Sequence, residues 1–162
     1  MIYHFKAMSY YYNEEYKGYL RSSIDTLRRQ AVQWQRDVEH FDKEAAAAEG
    51  LLRKMSVRRK AFYRKGLNAL QRIIAAYEEE LAEQEKWGMA GLLFEGIPVW
   101  DAVRMHSEAA ELLVDFRVKL SALAVKERAE LAAEEKRKAA AVRKATRRRA
   151  RSSGVAGKGG WK

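Results

Sequence analysis

Apolar residues recur through residues 20–52 at Leu20, Ile24, Leu27, Ala31, Trp34, Val38, Phe41, Ala45, Ala48 and Leu52, with gaps of four and three in alternation. A mean period of about 3.5 residues sets them on one seam of a helix and suits a partner helix that winds along it. This predicts a first helix over residues 13–49, capped by Asn13, with Glu14 and Glu15 where the helix dipole favours acids. Gly50 marks its end or a kink. The same spacing returns at Tyr63, Leu67, Leu70, Ile74, Tyr77 and Leu81, predicting a second helix over residues 56–86 with Ser56 as its cap.

Over residues 87–97 the period fails, and Gly88, Gly91, Gly96 and Pro98 punctuate an apolar run, so a loop is predicted there. A third helix is expected over residues 98–135 and beyond, with Pro98 in its first turn, where a missing N–H costs nothing. It carries two slightly rotated apolar stripes: Val99, Val103, Ala110 and Leu113, or Met105, Ala109, Leu112, Phe116, Leu120 and Leu123. Past Leu131 the stripe fades, and residues 139–151 have high helix propensity without a core face.

A single Pro, no Cys and long runs of Ala, Glu, Lys, Arg and Leu turn this pattern into a fold class. It is all-α: long antiparallel helices, as a helical hairpin or a three-helix, coiled-coil-like bundle, with an extended basic C-terminal tail. The expected organisation is a Tyr-rich N-terminal arm over residues 1–12, a helical bundle over 13–135 and a basic, helical-to-flexible tail over 136–162. Without Cys there is no disulfide, thiolate metal site or cysteine nucleophile. No membrane span is expected, because the longest uncharged apolar run, residues 87–94, falls far short of the roughly 20 residues a crossing needs. The first residues have neither a secretory core nor the look of a transit peptide, so localisation is not legible, and mitochondrial and cytoplasmic settings both stand.

Charge changes the picture more than composition does. Residues 136–162 hold eleven basic side chains, Lys136, Arg137, Lys138, Arg143, Lys144, Arg147, Arg148, Arg149, Arg151, Lys158 and Lys162, and no acid. That leaves 21 basic residues against all 22 acidic ones in the rest of the chain, so the tail holds the whole of the net +10. Such asymmetry points to an anionic partner, nucleic acid first. A second basic cluster, with Arg58, Arg59, Lys60, Arg64 and Lys65 at its centre and Phe62 and Tyr63 interleaved, is a further nucleic-acid candidate. Its bland alternative is a solvated face, or pairing with acids on neighbouring helices, with Glu78, Glu79, Glu80, Glu83 and Glu85 available downstream.

Aromatic residues supply the candidate protein interface. Tyr3, Phe5, Tyr10, Tyr11 and Tyr12 crowd the arm, and Trp87, Phe94 and Trp100 border the apolar loop. Tyr and Trp are enriched at desolvated interface centres, although the arm would also serve as a strap over the chain's own helices and the loop reads first as folding back over the helix ends.

Catalytic patterns are missing. His4, His40 and His106 lie far apart and outside H-E-x-x-H, and Glu108, Glu111 and Asp115 form an acidic stripe without a partner base. Gly157-Lys158-Gly159 lacks the spacing of a phosphate loop. No cofactor or metal is expected. Together these features imply a non-enzymatic structural subunit of a large ribonucleoprotein, ribosomal and mitochondrial ribosomal proteins included, that meets rRNA through its tail. Neighbouring proteins would be its other partners, with a helix along the 20–52 seam among them. The alternative is a helical accessory or stalk subunit of a large protein complex, such as a respiratory-chain or ATP synthase complex, or a virion component.

Overall fold

The structure is a computed structural model that describes residues 2–94 and 99–155, with side-chain surroundings described for residues 14–86 and 106–149. It is all-helical: α1 spans Ile2–Ala47, α2 Gly50–Phe94 and α3 Val99–Val155, and no strand occurs among the described residues. The chain divides into two compact units, Met1–Val118 and Lys119–Lys162.

Three helix bounds differ from those the sequence predicts, each for a local reason. α1 begins at Ile2, because no Gly or Pro interrupts residues 2–17, and Asn13 lies inside the helix and does not cap it. Gly50 opens α2 with φ 59°, a left-handed conformation that costs a residue with a Cβ roughly 1–2 kcal/mol. Ser56 therefore lies inside α2; its Oγ is 2.8 Å from the Glu44 carboxylate and 3.1 Å from the Leu52 carbonyl. α2 also runs on through Phe94, since Met89, Ala90, Leu92 and Leu93 favour helix strongly enough to carry Gly88 and Gly91.

Within Met1–Val118, α1 and α2 form a hairpin joined by Ala48 and Glu49. Its sense is fixed by cross-pairs at increasing distance from the turn: Glu44 with Ser56, Asp42 with Lys60, Arg28 with Glu78 and Arg21 with Glu85. The seam closes inward. Leu20, Ile24, Leu27, Trp34, Val38, Phe41 and Ala45 are buried on α1, and Met55, Leu67, Leu70, Ile74 and Tyr77 on α2. The partner that the seam calls for is thus the chain's own α2. Leu52, read from the sequence as the seam's last member, is 56% exposed, because the turn at Gly50 rotates it out of register.

An aromatic cluster joins the start of α3 to this hairpin. The Phe116 ring stacks on Trp34 with centroids 3.9 Å apart, and Phe62 and Tyr63 lie 4.7 and 5.2 Å from it. Ala109 and Phe116 are both buried, so of the two stripes predicted on α3 the rotated one faces inward. In Lys119–Lys162, Leu120, Leu123 and Leu131 are half-buried, Glu127 is buried, and residues 135–149 are exposed at every position.

Expectations placed on the side chains of Tyr3, Phe5, Tyr10, Tyr11, Tyr12, Trp87, Phe94, Trp100, Arg151 and Lys158, and on residues 95–97 of the loop and 156–162 of the tail, lie outside the described residues.

Candidate nucleic-acid interface

Alanine-rich spacing makes residues 136–149 helical, and the absence of any large apolar side chain except the exposed Val142 leaves that stretch of α3 in water. At 3.6 residues per turn, Lys136, Arg143 and Arg147 fall within about 40° of one another around the helix. Arg137, Lys144 and Arg148 form a second row centred about 100° away. A groove lined by Lys136, Arg143, Lys144, Arg147 and Arg148 runs along this face over Ala139 and Ala140, with Ala140 between the rows. It is an open furrow on one helix and encloses nothing.

These six cations have no ion-pair partner among the described residues. Lys138 differs: it points to the far side and pairs with Glu134 at 2.8 Å, and that hydrogen bond, followed by the charge of Glu134, pushes its pKa up. Arg149 shares the far side by helical position.

The second basic cluster is tied into the hairpin. Lys60 pairs with Asp42 across the turn, and its hydrogen bond and then its charge hold the Asp42 carboxyl below the usual value. Arg59 sits over the Phe41 ring at 5.5 Å, and Arg58 and Arg59 are half-buried with partners of their own. Arg64 and Lys65 are exposed. Three of the five acids proposed to neutralise the cluster are engaged elsewhere: Glu78 with Arg28, Glu85 with Arg21, and Glu80 with the Tyr16 hydroxyl at 3.4 Å.

A cleft of about 260 Å³ between α1, α2 and α3 was not foreseen, because its residues only converge once the helices pack. Tyr19 Oη lies 2.6 Å from His106 Nδ1 at one end, and Tyr77 lines it beside Ser22, Ser23 and Thr26. Burial, then the neighbouring Tyr19 and Glu108, raises the Tyr77 phenol above its ordinary value of 10.0. Tyr19 occupies the imidazole and Thr26 donates to the Ser22 carbonyl, so the polar groups hold one another. Among the described residues no three His, Asp or Glu side chains converge for a metal, and no helix is long and apolar enough to cross a membrane.

The fold and its surface define a helical chain with a basic helix face. Compared with known protein families, curated proteins and solved structures, it matches none of them.

Proposed function

We propose that the chain is a non-enzymatic structural subunit of a large ribonucleoprotein, of the ribosomal kind, in which the C-terminal half of α3 lies on RNA phosphates. In this reading the three helices build a long antiparallel bundle and the basic segment extends from it as the RNA-binding element. One observation carries the proposal: six exposed cations gather in two rows on one helix face with no partner among the described residues. Exposed cations held for stability would sit beside acids, and even then would contribute little. Held for phosphate, they bind by releasing counterions, which supplies affinity and almost no sequence choice.

Removal of residues 136–162 tests this. Each phosphate contact contributes roughly 0.7–0.9 to the slope of log affinity against log salt, so the loss of six lowers that slope by about four to five. Full-length protein that binds RNA no better than the truncated chain at low salt would overturn the proposal.

A protein-scaffold reading is favoured by Val114 and Val118, one helical turn apart on α3 and 61% and 63% exposed. It predicts a partner helix on that face and no change in assembly when the tail is removed.

A further inference from the structure

The two cation rows say which form of nucleic acid the tail takes. Resting on the RNA-binding reading above, we infer that the face bearing Lys136, Arg143 and Arg147 beside Arg137, Lys144 and Arg148 grips the paired phosphate ribbons of duplex RNA, one row to each strand.

Single-stranded binding surfaces combine a positive track with aromatic platforms on which bases stack. Residues 119–149 contain no aromatic residue, and no Asn or Gln to read a base edge. Thr146 offers the one hydroxyl among residues 136–149, and it donates to the Val142 carbonyl at 3.0 Å. The face therefore addresses phosphate alone. A duplex hides its bases and presents two parallel anionic ribbons, which is the complement of two parallel rows about 100° apart on a helix. Ala140, the residue between the rows by helical position, is small enough for the backbone to approach the space between the ribbons. From Lys136 to Arg147 each row extends about 16 Å at 1.5 Å per residue, several phosphates along a duplex. Lys138, the cation paired with Glu134, stands off this face, so neutralisation falls where the duplex would not be.

Charge density alone also favours duplexes, with about 0.9 counterions released per contact against about 0.7 for single strands. The decisive variant therefore conserves charge. K144A/A145K/T146R/R148T keeps the composition of the segment while moving two of the three cations of the second row off the face. Binding of full-length protein and of this variant is measured against a duplex RNA of about 20 base pairs, a single-stranded polyuridine of the same length and a duplex DNA, with helicity checked by circular dichroism. The parent should prefer duplex RNA over polyuridine by about tenfold or more, and the variant should lose most of that preference while binding polyuridine as before. An unchanged preference in a helical variant, or duplex DNA bound about tenfold tighter than duplex RNA, overturns the inference. If the parent binds duplex and single strand equally, only this inference falls; if it binds no RNA at low salt, the proposed function falls with it.

Discussion

Gly66 exists for Phe116: a Cβ at position 66 would stand 2.5 Å from Phe116 Cε2 and 2.8 Å from Cδ2, inside the space the ring fills. The ring is stacked on Trp34, whose Cζ3 would itself stand 3.2 Å from that Cβ, so the stacked pair would have to give way together. A glycine in mid-helix costs about 1 kcal/mol relative to alanine, and here that cost admits α3 to the hairpin.

Gly66→Ala should consequently destabilise the protein despite its better helix propensity, by about 1–2 kcal/mol net of overpacking. Chemical denaturation measures it. Phe116→Leu in the same chain should recover part of the loss, since the two changes share one contact. Stability equal to or above the parent's would show that the ring yields freely.

Trp34→Ala and Phe41→Ala remove large buried side chains from the α1 seam and should each cost roughly 3–5 kcal/mol. A loss under about 1 kcal/mol in both would mean that the hairpin does not pack as an autonomous core.

Tyr16 and Tyr77 set an alkaline limit. Burial first, then Glu80, raises the Tyr16 phenol, and burial followed by Tyr19 raises that of Tyr77. In the unfolded chain both ionise near the ordinary value of 10.0, and in the folded protein only well above it. The folded state therefore binds the extra protons, and their contribution to stability is whole below about pH 10 and lost as pH rises beyond it. Unfolding free energy measured between about pH 9 and 12 should fall more gently in Tyr77→Phe than in the parent. Equal slopes would remove Tyr77 from the account.

Much of this fold was legible in the sequence, for a plain reason. The four-three spacing from Leu20 to Ala45 and from Leu67 to Tyr77 reports which residues share a helix face, and all of those residues except the half-buried Ala31 are buried. Pairing between helices was not legible. Sequence proximity offers the Arg53–Arg72 cluster as an alternative partner for Glu78 and Glu85, whereas the hairpin brings them to Arg28 and Arg21. That register depends on where Gly50 turns the chain. The tail's charge was plain from sequence, but its division into two rows and a neutralised far side required the helix and the Lys138–Glu134 pair.

The two-residue joint between helices of 46 and 45 residues has a kinetic meaning. Glu44 and Ser56 are separated by 12 positions, Asp42 and Lys60 by 18, Arg28 and Glu78 by 50, and Arg21 and Glu85 by 64. Closing a long loop outright is entropically costly, but each pair formed near the turn shortens the free chain left for the next. Loop-closure entropy accordingly favours pairing from Gly50 outward. On that entropic order, the Arg21–Glu85 pair, the most distant of the four in sequence, is the last to close.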